Sequence, residues 1–346
     1  MSDEIAQLND RAESILRHVV HNYITTAAPV GSRFISRRFE RHLSPATIRN
    51  VMADLEEMGF LSHPHTSAGR IPTDRGYRYY VDYLMEVEQL SDAEQTLIAQ
   101  QLETAPDPGE MLRETSRLLG KISKQLGIVS SPHISSGVLE KLEIVPVSSS
   151  KLLVVMSIRS GLVRTIMLEV GADIHREKLE GVNRMLNERL AGLTLREIRD
   201  TFVERIRGQD EGTGLVRLFI DSVDLLFSDE RSERLHISGT QNIIEQPEFV
   251  DSRSFRSVIE LIENEDIIVH LLERHDNPDK DVVITIGAEN EESKAEVYSI
   301  VTGRYESDGV VGQVGIIGPK RMNYAKLVPL VDNVARTIAR LFRGSA

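Results

Sequence analysis

Ser44-Pro45-Ala46-Thr47-Ile48-Arg49-Asn50 sets a guanidinium and a carboxamide beside two small residues, just inside a helix start. Ser before Pro makes that start, because the hydroxyl accepts from an orphan amide and Pro has no amide to leave unpaired. Gly59 supplies the stop. Between them Ile48, Val51, Met52, Leu55 and Met58 recur at helical spacing, so Ala46, Arg49, Asn50 and Ala53 point the other way. Small outward residues let a helix enter a major groove of about 12 Å, where Arg suits guanine edges or phosphates and Asn suits adenine edges. Asp54, Glu56 and Glu57 repel phosphate, which leaves the N-terminal half of the helix as the reader. The chemistry in view is recognition of double-stranded DNA.

A reader helix needs a scaffold. Upstream, Asn9 or Asp10 opens a helix with Ala12, Ile15, Leu16, Val19, Val20 and Tyr23 on one stripe. After the break at Pro29-Val30-Gly31, Ser32 opens a shorter helix that turns Phe34, Ile35 and Phe39 inward and carries Arg33, Arg37, Arg38 and Arg41. Downstream, Phe60-Leu61-Ser62 is a strand, residues 63–69 a turn-rich tip, and Arg70-Ile71-Pro72 a Pro-interrupted return. Three helices and a hairpin make a winged helix-turn-helix. Arg49 and Asn50 are the expected base contacts, with Thr47 beside them and Ala46 giving clearance. Ser44, Arg33, Arg37, His65, Thr66, Ser67 and Arg70 are expected at the DNA backbone or in the wing. The same pattern also serves helix pairs that only pack or dimerise.

Charge favours binding confined to this segment. Residues 11–80 hold ten Arg against six acidic residues, while the whole chain carries a net charge of −12. Every basic side chain before Lys121 is Arg, the better partner for forked contact with phosphate and guanine. The acidic remainder disfavours indiscriminate nucleic-acid binding. With no Cys, the 346-residue chain has no disulfide, thiolate metal site or Cys nucleophile. No apolar run reaches the roughly 18 residues of a membrane span, and Met1-Ser2-Asp3-Glu4 does not begin a signal peptide, so a cytoplasmic protein is expected.

Other chemistry is weakly supported. Gly309, Gly312, Gly315 and Gly318 have neither phosphate-loop nor dinucleotide spacing, and are read as strands and tight turns. His270, Glu273 and His275 match no metalloenzyme motif; on a strand the two His would face opposite sides. No catalytic residue, cofactor or metal is therefore assigned.

The length predicts two or three domains. Tyr77 to Met85 is a Tyr-rich connecting helix, with interdomain packing the expected role of its rings. A polar stretch runs to Pro106-Asp107-Pro108-Gly109, and residues 110–126 form the next helix. Val138–Pro146, Lys151–Ile158 and Val163–Val170 predict an antiparallel meander. A helical block from His175 to Phe227 interrupts the strand signal, which resumes at Asp266–Leu272, Asp281–Ile286 and Ala295–Tyr305. The last helix places Leu327, Val331, Val334, Ile338 and Leu341 on an interface-like seam, short enough to be core or dimer packing rather than an independent coiled coil.

Three runs carry a family resemblance: Ser44 to Met52; Gly59-Phe60-Leu61 with Pro64 to Thr73 and Gly76-Tyr77-Arg78; and Gly315 to Tyr324. Together they resemble the HrcA family of heat-inducible transcription repressors over essentially the whole chain. The resemblance implies an α+β multidomain protein: a winged helix over 1–85, a GAF-like α/β domain over 86–172 and 253–346, and an inserted helical dimerisation subdomain over 173–252. It implies a homodimer on an inverted-repeat operator, negative regulation of chaperone operons, and a chaperonin that supports the active repressor. A dimer would set the half-site spacing, with the insertion and last helix as candidate interfaces. A metabolite-responsive repressor and an enzyme with an appended DNA-binding module are the competing functions.

Overall fold

The computed structural model of the chain describes residues 8–38, 43–64, 69–171, 175–206, 214–228, 235–250, 252–274, 280–307 and 309–344. Phe39, Arg41, His65, Thr66, Ser67 and His275 lie outside them. The described elements form a mixed helix-and-sheet, α+β fold.

The N-terminal head starts with α1 (Asp10–Thr26), capped by Asn9 Oδ1, which accepts from the Ala12 amide at 3.0 Å. A short α2 (Ser32–Ser36) and α3 (Pro45–Glu57) follow. Ile15, Leu16, Val19, Ile35, Ile48, Met52 and Leu55 close a three-helix core. Each such side chain contributes about 1.5–3 kcal/mol relative to exposure. The expectation for Phe34 was wrong: it is 38% exposed, with the Arg38 guanidinium 4.4 Å above its ring. A five-residue helix has a narrow buried face, and Ile35 takes it.

Strands β1 (Leu61–Ser62) and β2 (Ile71–Pro72) pair antiparallel beyond α3. Arg70 and Val30 exchange both backbone hydrogen bonds at 2.9 Å, pinning the hairpin to the turn before α2. A Cβ on Gly69 would meet Pro29 C at 2.7 Å, so only Gly permits that approach. Next come α4 (Asp74–Tyr79) and a π-helical turn at Tyr80–Leu84. Tyr77, Tyr79 and Tyr80 are buried, in keeping with their expected packing role.

Past this linker, α5 (Asp92–Glu103) occupies part of the stretch expected to be merely polar. Its apolar face is thin, and its signature is the capping box of Ser91 and Glu94. After α6 (Pro108–Ser123) comes β3 (Leu126–Ser130), a second element unanticipated from the sequence. The meander is as expected: β4 (Leu139–Ser148), β5 (Lys151–Ile158) and β6 (Val163–Glu169) make an antiparallel sheet of their own. Its inner residues Leu142, Ile144, Val154 and Met156 are buried with Leu179, Val182 and Leu186 of α7 (Arg176–Leu190). Asn187 ties α7 to β4, donating to Leu142 O at 2.6 Å and accepting from Leu142 N at 2.8 Å. Three helices continue this unit: α8 (Leu195–Ile206), α9 (Leu215–Asp221) and α10 (Val223–Phe227).

The chain returns through β7 (Leu235–Ser238), α11 (Thr240–Ile244), α12 (Ser252–Glu263), α13 (Glu265–Arg274), β8 (Val282–Ile286), β9 (Tyr298–Ser307), β10 (Val310–Pro319) and α14 (Tyr324–Gly344). A second sheet runs β7-β3-β10-β9-β8, with every neighbour antiparallel. Alternation serves both its faces. Val129, Val301 and Ile316 join the core with α6 and α14, while Ile128, Ile300 and Ile317 join another with α12 and α13.

Two expectations change here, and a third is narrowed. Asp266–Leu272 is helical within α13: Ile268, Leu271 and Leu272 are buried at helical spacing, which overrides the β-branched Ile267-Ile268-Val269 run. His270 therefore stands on a helix. Of the two readings of the α14 seam the structure shows core packing, with Leu327, Val331, Val334 and Ile338 buried within the chain's own core. The sequence placed the meander with the later strands and residues 235–238 in the insertion. Instead β7 completes the five-stranded sheet, and the excursion between β3 and β7 contains the meander. The glycines behave as read, with Gly309 at φ +78° in a turn and Gly312, Gly315 and Gly318 in β10.

Candidate nucleic-acid interface

The first turn of α3 is built by its cap. Ser44 Oγ accepts from the Thr47 amide at 3.1 Å and lies 2.9 Å from Thr47 Oγ1. Both hydroxyls are thus held at the helix entry, where the helix dipole and free amides favour a phosphate. Ala46, Arg49 and Asn50 are exposed, and Ile48 between them is fully buried, so the face forecast for base contact does look outward. Ser36 Oγ donates to Leu43 O at 2.9 Å, tying the end of α2 to the approach to α3.

The arginines divide into two groups. Arg33, Arg37 and Arg49 are exposed and make no ion pair with a described residue. Arg17, Arg75 and Arg78 are engaged within the chain, on Glu86, Met58 O and Glu289 respectively. Arg70, expected in the wing, belongs with the engaged group. Its Nε lies 2.8 Å from Glu56 Oε2 and its Nη1 2.8 Å from His63 Nε2, and its side chain is only 15% exposed. His63 Nδ1 in turn stands 3.0 Å from Glu56 Oε1. Arg70 therefore offsets the Glu56 carboxylate at the C-terminal end of α3. His65, Thr66 and Ser67, expected from the sequence at the tip, lie outside the described residues.

Contacts that the sequence did not pair fix the head to the body. Arg78 donates from Nε to Glu289 Oε1 at 2.8 Å and from Nη2 to Glu289 Oε2 at 2.5 Å. Burial works to lower the Arg78 pKa, yet the hydrogen bonds and charge of Glu289 and Asp82 hold it raised. Lys320 Nζ donates to Asp74 Oδ1 at 2.6 Å. Arg321 engages Glu248 and Gln246, and its Nη1 reaches Ile24 O of α1 at 3.4 Å. The Tyr77 ring meets Tyr324 edge-on at 6.3 Å, and burial pushes the Tyr77 phenol well above its ordinary value. The head-to-body partners, Arg78 with Glu289, Lys320 with Asp74, Arg321 with Ile24 and Tyr77 with Tyr324, are more than 200 residues apart, so no local motif reveals them.

Among the described residues no helix is long and apolar enough to cross a membrane, and no group of three His, Asp or Glu is arranged to hold a metal ion.

Residues 109–328 match the family model described as HrcA protein C terminal domain. A heat-inducible transcription repressor HrcA from Chlorobium phaeobacteroides strain BS1 is 42% identical over 339 residues, covering 95% of this chain and 96% of the relative. The HrcA of Chlorobium luteolum is 43% identical over 342 residues, with coverage of 95% and 96%, and that of Prosthecochloris aestuarii 41% over 346, with 97% and 98%. A crystal structure described as a hypothetical protein superposes with a TM-score of 0.64 at 24% identity, covering 98% of this chain and all of that one, which shows a shared fold. Identity of this level along nearly the full length, together with the matched family model, makes this chain a member of the HrcA family of heat-inducible transcription repressors.

Proposed function

We propose that this repressor acts as a homodimer, reading an inverted-repeat operator in front of chaperone operons through the N-terminal half of α3. The carrying observation is the set of exposed arginines with no ion-pair partner among the described residues, Arg33, Arg37 and Arg49, around a capped helix entry with a small outward face. The head, residues 1–85, is assigned as a winged helix whose wing is β1 and β2. The five-stranded sheet with helices on both faces is assigned as the GAF-like domain. The insertion is proposed to span the excursion from β3 to β7, wider at its start than the 173–252 expected from the sequence.

Dimerisation is assigned to the insertion. Val145, Leu153 and Met167 form one cross-strand row on the outer face of the meander, and Val163 shares that face. Val145 is 42%, Met167 46% and Val163 62% exposed, an apolar sheet face suited to a second copy. A cytoplasmic location and support of the active form by chaperonin complete the proposal; both rest on family resemblance.

The test is fluorescence-anisotropy titration against an inverted-repeat chaperone operator and a scrambled duplex, across salt, with and without chaperonin. Operator-selective binding strengthened by chaperonin is expected. Equal weak binding to both duplexes overturns the operator assignment, and indifference to chaperonin overturns the feedback.

A further inference from the structure

α4 is bound on two sides. Toward the reader, Thr73 Oγ1 donates to Gly59 O at 2.6 Å and Arg75 Nη1 to Met58 O at 3.1 Å. Gly76 passes so close to Phe60 that an added Cβ would stand 2.1 Å from its carbonyl oxygen. α4 and the C-terminal end of α3 are therefore one rigid piece. Toward the body, Asp74 reaches Lys320 and, one helical turn later, Arg78 reaches Glu289. The body is shaped for this contact. Ala288 N donates to Asp74 Oδ2 at 3.2 Å, Ile286 N donates to Glu289 Oε2 at 2.9 Å, and Arg78 Nη2 donates to Ile284 O at 2.7 Å. Gly287, at φ +58°, carries no Cβ, and one there would lie 2.0 Å from Asp74 Oδ2.

We propose that Asp74, Arg78, Lys320 and Glu289 are positioning residues, a crossed pair of ionic contacts that holds each reader helix at the angle to the body required to match two half-sites at once. This rests on the operator-binding function proposed above. α4 presents a negative and then a positive charge, and the body presents their complements in the same order. Reversing the helix sets like charges against each other, so the pair selects one orientation, which the non-directional packing of Tyr77 on Tyr324 does not. The joint lies at the end of α3 remote from Arg49 and Asn50, whose faces stay exposed. Its side chains are 23–37% exposed, so it reorganises without opening a core.

A single half-site needs no fixed relation between head and body, whereas a complete operator does. If loss of the joint leaves the required orientation populated about a tenth of the time, operator Kd rises about tenfold while half-site Kd stays unchanged. The experiment uses full-length protein carrying Glu289→Gln, Lys320→Met, or both, with Lys320→Arg as the conservative control. Melting temperatures check that each variant folds. Affinities are measured on the inverted-repeat chaperone operator, on the same duplex with one half-site scrambled, and on operators lengthened or shortened by a few base pairs.

The expected result is an operator-specific loss with weakened preference for native spacing, full retention in Lys320→Arg, and no change on the half-site. A second arm needs no DNA. The chain has no Cys, so cysteines placed at exposed Asp54 and Lys294 are unique spin-label sites. With labelled chains diluted by unlabelled protein, their distance distribution is expected to be narrow in the parent and broad in the charge-removed variants. A distribution that stays narrow overturns the proposal. So does an equal loss on half-site and operator, or tighter operator binding on release. A parent without operator preference refutes the operator function instead, and the DNA-free distance still decides whether these four charges hold the head.

Discussion

Arg49 offers the sharpest test of the reader face. It is exposed on the second turn of α3 and has no ion pair or hydrogen bond to a described residue, so Arg49→Ala removes no such contact among the described residues. Stability should stay within about 0.5 kcal/mol of the parent, the usual range for such surface changes, and Ala is the best helix former. Affinity for operator DNA should fall by about 1–3 kcal/mol, roughly 5- to 150-fold, if the guanidinium grips a guanine edge in bidentate fashion. Random-sequence affinity should fall far less, because the edge contact is absent there. Anisotropy titrations at several salt concentrations separate the two roles. A phosphate contact would lower both affinities alike and reduce the salt slope by about one. Equal loss on both duplexes would remove Arg49 from base reading, and no loss on either would refute the placement of α3 in the groove.

Other perturbations probe the scaffold. Ser44→Ala removes the acceptor for the Thr47 amide and should cost about 1 kcal/mol of stability in urea titrations, with weaker binding as the first turn frays. Met167→Asp puts a charge on the exposed meander face and should turn a dimer into monomers in sedimentation velocity, with the monomer still folded by circular dichroism. Glu94 takes hydrogen bonds from Lys326 and Ser91 that hold its carboxyl down to about 2, so its contribution is present above about pH 4.5 and lost as pH falls toward 2. Glu94→Gln should therefore be less stable than the parent at pH 7, with the gap closing across that window in denaturant melts. Gly287→Ala should loosen the head from the body, seen as faster amide exchange in α4, because the new Cβ falls on Asp74.

Local pattern alone determined the head. Caps at Asn9 and Ser44, Pro45 at the first helical position, the apolar stripe from Ile48 to Leu55 and the glycine stop are interactions among near neighbours, and their physics is written in consecutive residues. The outward set of Ala46, Arg49 and Asn50 follows from the same periodicity. Where local signals conflicted or thinned, tertiary packing decided. Residues 266–272 carry β-branched side chains yet bury a helical face, and α5 shows little apolar stripe and is marked chiefly by its cap. Strand partners were equally hidden: β3 lies between β7 and β10, far apart in the chain, so only the folded sheet separates the meander from the later strands.

The division of the arginines was decided the same way. Arg49 and Arg70 look alike as residues of one basic segment, but folding brings Arg70 to Glu56 and leaves Arg49 in solvent. The joint from α4 to the body unites charges more than 200 positions apart, two on one turn of a helix, one on a 3-10 turn after β8 and one just past β10. Periodicity reports which face of an element is buried. Which distant charge meets that element is a property of the closed chain, set when the packing of cores fixes one element against another.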